Sequence, residues 1–259
     1  MAFSPDFLTV RVDLPRGADA VTTLDYTHFT VLLDAGRRLA RVTGVNVDGT
    51  ALVGLERGDD WRFDDRVPVE AQTGPAVYAN NGFDRGHLVR RRDPVWGVDA
   101  KQANSDTFHY TNAAPQASEF NQSAELWLGL ENHVLDFASV ERLRLSVFTA
   151  PVLSPDDPPY RGIRVPLRFW KIIAWVAGDD LASAAFVLDQ SPLVPDAEKR
   201  RAITDEPELG PFRTFEVAVQ QVASLTGLVM PELIAADHLP ETVAAEPWRR
   251  LRSFSDIVL

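Results

Sequence analysis

Apolar positions along the chain fall into runs of two different periods. Tyr26–Asp34 alternates and is rich in β-branched residues, Ala35-Gly36 turns it, and Arg38–Val47 runs back to Asp48-Gly49. That pattern predicts a β-hairpin. Leu8–Val12 reads as a short strand. Arg144–Ala150 and Arg168–Ala177 are strongly apolar and predict central strands; Ala184–Leu188 and Phe215–Val217 predict two more. Between Ser118 and Phe137 the period changes. Phe120, Leu126, Trp127, Leu130, Val134, Leu135 and Phe137 share one helical face, with Ser118 at the N-cap. Val219–Thr226 predicts a short helix closed by Gly227 at C′. Residues 55–82 and 190–211 read as loops, and Ser105–Pro115 has no clear period. The chain shows neither repeats nor an obvious linker. The expected architecture is one domain over residues 1–259. Its class is α/β in the broad sense (α+β), with a mixed, mainly antiparallel sheet flanked by helices.

Composition narrows the picture only slightly. The 259 residues are 45% hydrophobic, enough for a sizeable core. Cysteine is absent, which excludes disulfides and thiolate metal sites. A net charge of −11 argues against a passive, whole-surface binder of nucleic acid, though not against an enzyme with one basic cleft. The Met1 segment has no basic start and no apolar run of signal-peptide length. No stretch approaches the roughly 18 apolar residues of a membrane span. The expectation is a soluble, cytoplasmic protein without membrane contact, with secretion by another route left open.

The densest chemistry lies in Asp84-Arg85-Gly86-His87, followed at once by Arg90, Arg91 and Arg92. Histidine moves protons near neutral pH. Arginine grips phosphate through two parallel hydrogen bonds. The intervening glycine reads as the residue that lets the backbone turn. A base beside a phosphate clamp is what phosphodiester hydrolysis requires.

Further along stand Thr111-Asn112-Ala113-Ala114-Pro115-Gln116, then Asn121-Gln122, then Trp127-Leu128-Gly129-Leu130-Glu131. With these segments the chain resembles the DNA/RNA non-specific endonucleases of the endonuclease G type, which have the ββα-metal fold. His28–Val31 with Val45–Gly49 resembles the family's first hairpin, and Ser224–Leu228 its last helix. The similarity spans roughly residues 25–235. The DRGH and NQ elements, about 34 residues apart, carry most of its specificity.

The resemblance implies that His87 is a general base and that Asn121 binds one Mg²⁺, or Mn²⁺ or another divalent ion, through its amide oxygen. Mg²⁺ favours oxygen ligands and retains several waters, so a single neutral protein ligand is chemically reasonable. Arg85 would contact the scissile phosphate or hold water beside it, and Asp84 would orient its surroundings. Glu131 would serve the metal's water shell. Family members carry the tryptophan and the glutamate four and eight residues after the metal asparagine; here they follow by six and ten. The longer spacing leaves Glu125 as a rival to Glu131, and either starts the helix after Asn121 or displaces the glutamate. Arg57 and Arg62 are both candidates for an upstream phosphate contact. Arg90 is a substrate-binding candidate, and Asn112 reads equally as turn chemistry or as substrate contact. His28, His109, His133 and His238 read as structural. The implied substrates are DNA and RNA, cleaved with little base preference. The resemblance also implies a homodimer and leaves room for a regulatory protein partner. Two other readings remain: a catalytically silent binding module on the same fold, and a phosphodiesterase for a small substrate.

Overall fold

The computed structural model describes residues 1–56, 58–122, 127–194, 214–239 and 248–251. In chain order the elements are β1 (Thr22–Tyr26), β2 (Phe29–Asp34), β3 (Leu39–Asp48), α1 (Pro75–Tyr78), β4 (Phe83–His87), α2 (Ala100–Asp106), β5 (Ala113–Ala117) and α3 (Ser118–Gln122). They continue with α4 (Trp127–Val140), β6 (Arg144–Pro151), β7 (Pro159–Tyr160), β8 (Ile163–Arg164), β9 (Arg168–Ala177), β10 (Asp180–Asp189), β11 (Thr214–Val217), α5 (Val219–Thr226), α6 (Pro231–Ala235) and β12 (Arg249–Arg250).

Among the described residues, eight strands form one sheet in the order β1-β2-β3-β6-β9-β10-β11-β12. Every pairing between them is antiparallel, so the sheet is not mixed. β6 and β9 lie at its centre. Their residues are largely buried because both faces are covered. Val147, Ile173 and Phe186 pack beneath Leu130, Val134 and Leu135 of α4 and Phe83 of β4. Their alternating neighbours Phe148, Ile172 and Val187 pack with Phe3, Leu8 and Val12 of the N-terminal segment, with Val219 and Val222 of α5, and with Leu233 of α6. The result is a three-layer arrangement, with burial on both faces supplying the driving force.

Several expectations need correction. Leu8–Val12 is not a strand. Leu8 and Val12 are buried against the sheet, so it is tertiary packing that uses their apolar character. Tyr26 does not begin the first long strand. It ends β1, a strand with no sequence signal, and a turn at Thr27-His28 follows, with His28 at φ 68°. Of the helix expected over Ser118–Phe137, Ser118–Gln122 and Trp127–Phe137 are helical, in α3 and α4, and 123–126 lie outside the described residues. Ser118 does not cap a helix: its hydroxyl lies 3.0 Å from the Gly82 carbonyl and 3.1 Å from Asp84 Oδ1. Most of the 190–211 loop falls outside the described residues. Gly227, at φ 68°, closes α5 as its C-terminal position requires.

Two sets of contacts seat the site-bearing segments on this frame. Gln190, fully buried, accepts from Ala117 N at 2.9 Å and donates to Pro115 O and Pro166 O at 3.1 and 2.7 Å. One amide thereby fastens β5 beside β10. At the other edge, Tyr26 donates to Asp64 and is 2.6 Å from Thr111 Oγ1. Arg66 donates to both Asp64 oxygens, at 2.9 Å from Nε and 2.6 Å from Nη2, and its guanidinium lies 4.5 Å over the Tyr26 ring. Burial alone would raise the Asp64 carboxyl. The hydrogen bonds from Arg66 and Tyr26 outweigh it and hold the group well below the usual carboxylate range.

A depressed folded-state pKa means that the Asp64 contribution is complete above the unfolded carboxylate pKa of about 4. It drains away as pH falls from there toward the folded value. Urea unfolding of wild type and Asp64→Asn should therefore differ most near neutral pH, and the gap should narrow in acid. An unchanged gap on acidification would show that Asp64 holds the loop by shape and not by charge.

Candidate active site

The segment around the DRGH tetrapeptide is a strand. β4 pairs with β5 in antiparallel register, Asp84 opposite Gln116 and His87 opposite Ala113. Gly86 is in extended backbone and does not turn the chain, contrary to the expectation from sequence. Its service is space. A Cβ there would fall 2.1 Å from Gln116 Oε1 and 2.5 Å from Gln116 Cγ. Gln116 is fully buried over the glycine, and neither polar atom of its amide has a hydrogen-bond partner among the described residues.

Alternation along β4 sends Arg85 and His87 to one side and Asp84 to the other. Both Arg85 and His87 meet the same indole. The Trp61 ring is 4.6 Å from the His87 ring, centroid to centroid, and Arg85 lies 5.5 Å over it. Phe108 contacts His87 edge-on at 5.1 Å. Arg85 Nη2 is also 3.5 Å from Asp59 Oδ1, an exposed pair. Asp84 turns toward α3. Asn121 Nδ2 donates to Asp84 Oδ2 at 2.9 Å, and Gln122 Nε2 to the same oxygen at 2.8 Å. A carboxylate only accepts, so the amide of Asn121 must offer it the NH₂ group. The amide oxygen of Asn121 is then the atom left for another partner.

These groups share one cleft of about 840 Å³, whose wall includes Trp61, Asp84, Arg85, His87, Asn121 and Glu131. Glu131 reaches it from the second turn of α4 and Asn121 from α3, so the longer spacing does not remove the glutamate from the cleft. Glu125 lies outside the described residues. The donors of the cleft suit a divalent ion: an amide oxygen and a carboxylate line one cavity, and Mg²⁺ favours oxygen ligands. Among the described residues no cluster of three or more His, Cys, Asp or Glu side chains offers a richer metal site.

Other expected residues fall elsewhere. Asn112 does not contact the cleft. It is fully buried, its Oδ1 accepting from Val89 N at 2.9 Å and its Nδ2 donating to Val89 O and Thr107 O at 2.9 and 3.0 Å. Turn chemistry uses up the whole amide. Arg62 also stays out of the cleft, donating to His109 Nε2 and Ser105 Oγ, both at 3.1 Å. His109 Nδ1 in turn faces Asp106 O at 2.8 Å, which fits Nε2 as the acceptor. Arg57 lies outside the described residues. Arg90 lines the cleft but is 8% exposed and tied to α4, so it is poorly placed to reach substrate. Arg91 bridges to the carbonyls of Leu55 and Glu56 and to Asn104 Oδ1.

Sequence reasoning missed Trp61, Asp59 and Tyr78, which line the cleft from loop 58–82 and α1. An isolated tryptophan in an irregular loop gives no periodic signal, and only the fold carries it to His87. The Tyr78 hydroxyl is buried, and burial raises its phenol far above the ordinary range, with Arg85 opposing.

Residues 10–237 match the sequence model of the DNA/RNA non-specific endonuclease family. The uncharacterized protein y4fB of Sinorhizobium fredii is 39% identical over 284 residues, an alignment covering 98% of this chain and 42% of that protein. Mitochondrial endonuclease G of Homo sapiens is 28% identical over 198 residues, covering 70% of this chain and 60% of the relative. Nuclease C1 of Cunninghamella echinulata is 26% identical over 239 residues, with 86% and 87% covered. The chain thus spans about two fifths of the first relative and three fifths of the second. Among solved structures, a chain of the EndoG/EndoGI complex superposes with a TM-score of 0.60 at 19% identity, over 82% of this chain and 86% of the other. That likeness is one of fold.

The Gly86 packing gives a direct test. Gly86→Ala should lower stability by about 1–3 kcal/mol through overpacking against Gln116, read as a shift in the urea midpoint. Gly86→Ala combined with Gln116→Ala should recover most of the loss. A fully additive double variant would show that Gly86 is needed for another reason.

Proposed function

The chain belongs to the DNA/RNA non-specific endonuclease family, and on that footing we propose that it hydrolyses phosphodiester bonds of DNA and RNA in the Trp61–Glu131 cleft. The observation that carries this reading is the pair of faces on β4. One face offers a base and a guanidinium together, His87 and Arg85, and the other uses Asp84 to fix Asn121.

In the proposed reaction His87 takes a proton from the attacking water. Its imidazole is packed between Trp61 and Phe108, which limits its rotation. Arg85 grips the phosphate. To do so it exchanges the Asp59 carboxylate for a substrate oxygen, an exchange that an exposed ion pair permits at little cost. Asp84 does not react: its carboxylate receives Asn121 and Gln122 and keeps α3 against the strand. Asn121 and Glu131 would hold Mg²⁺, Asn121 directly and Glu131 through water. Bound there, the ion supplies positive charge for the transition state and the leaving oxygen. Contacts of this kind fall on phosphate and sugar, so base preference is weak. Among the described residues no helix is long and apolar enough to cross a membrane.

The experiment is cleavage of plasmid DNA and of RNA with Mg²⁺ or Mn²⁺. His87→Ala should lower kcat by about 10²–10⁴-fold, the usual worth of a positioned base. Asn121→Ala should raise the metal concentration needed for half-maximal rate. Binding of nucleic acid without cleavage by the wild type would favour a silent binding module instead. Turnover confined to a dinucleotide would favour a small-substrate phosphodiesterase.

A further inference from the structure

Behind the cleft lies a group of charged side chains that the proposed chemistry does not use. Lys171 is 1% exposed, on β9 in the middle of the sheet. Its strand neighbours on the same face, Phe169 and Ile173, pack in the cluster that includes Leu130 of α4 and Ala114 of β5. Its Nζ donates to Thr149 Oγ1 at 2.9 Å, directly across the ladder. The acidic groups acting on it are Glu131 and Asp93, and the neighbouring cation is Arg90. All three are buried. Arg90 Nε is 3.6 Å from Glu131 Oε2, Arg90 Nη1 donates to the Glu131 carbonyl at 2.7 Å, and Nη2 donates to Asn132 Oδ1. Two cations and two carboxylates therefore share one interior, and Arg90 and Glu131 are the members that also line the cleft.

Stability is a poor explanation for such a group. Removing charges from water is expensive, and apolar side chains of the same volume often serve a core as well or better. Lysine is among the residues least often fully buried. What the arrangement supplies is direction. Arg90 clamps the backbone and carboxylate of Glu131 from β4's end of the site, while Lys171 brings positive charge from the sheet beneath. Asp93 balances the second cation. Turning the Glu131 carboxylate elsewhere in the core would leave two buried cations with one carboxylate between them.

We propose that Lys171 and Arg90 are positioning residues that fix the Glu131 carboxylate at the cleft wall, where it serves the water shell of the bound Mg²⁺. The proposal rests on the endonuclease reading for its metal.

Calorimetric titration of the full chain with Mg²⁺, beside thermal melting, provides the test. Lys171→Met keeps length and volume and removes the charge. As the loss of one partner from a buried charge cluster, the change should lower the melting temperature, and the folded variant should bind Mg²⁺ about 10-fold more weakly, as for other groups that orient metal ligands. Lys171→Met combined with Glu131→Gln should bind no more weakly than Glu131→Gln alone. Should Lys171→Met fail to fold, Thr149→Val, which removes a hydroxyl that Lys171 donates to, should weaken Mg²⁺ binding in the same direction. Wild-type Mg²⁺ affinity in the folded variant, or losses that multiply in the double variant, would overturn the proposal. So would a wild type that binds no Mg²⁺. A wild type that binds Mg²⁺ but cleaves neither DNA nor RNA would sink the endonuclease reading alone, leaving the positioning role to be judged on affinity.

Discussion

The antiparallel pairing of β4 with β5 is the constraint on which the rest of the site depends. It places Asp84 opposite Gln116 and sends the chain directly from Ala117 into α3. That sequence of elements brings Asn121 and Gln122 back to Asp84, about 34 residues after the tetrapeptide in the chain. Gln190 pins the same ribbon to the large sheet, and the Asp64 cluster holds the preceding loop, with Trp61, against it. A ladder of five residue pairs thus turns two distant motifs into one surface. Backbone hydrogen bonds set the spacing, and side chains only finish it.

Much of this was legible in the sequence where one element made its own signal. Strongly apolar runs revealed β6 and β9, and alternation revealed β2 and β3. Asp84, Arg85, His87, Asn121 and Glu131 all line the cleft, Glu131 despite the longer spacing after Asn121. What stayed illegible depended on partners. β1 carries little apolar signal because only Leu24 and Tyr26 are buried, and it exists as a strand because β2 offers an edge. Asn112 looked like either a turn or a contact until burial exhausted its amide. Gly86 looked like a hinge, yet the demand on it comes from a side chain of the opposite strand. Trp61 and Lys171 gave no local pattern; a loop residue and one cation in an apolar strand acquire meaning only when the layers close.

The distribution of charge follows the same logic. The chain is acidic by eleven charges, yet four arginines, 85, 90, 91 and 92, line the cleft. Three of them are already engaged with the protein, Arg90 with α4, Arg91 with the loop carbonyls and Arg85 with the exposed Asp59. The acidic surface repels a polyanion only within about 10 Å at 0.1 M salt, since screening damps it beyond that distance. In the proposed reaction, a local basic grip set in an acidic surface favours release of product.

Arg85 and His87 stand on one face of a strand, two residues apart. The pleat fixes that interval at about 6.7 Å, and it is held by the ladder instead of by side-chain torsions. In the proposed reaction the strand would serve as a ruler along the substrate backbone. Bending it would mean breaking sheet hydrogen bonds, so the distance between Arg85 and His87 along the strand is set when the protein folds. Little entropy remains to be lost at the moment of reaction.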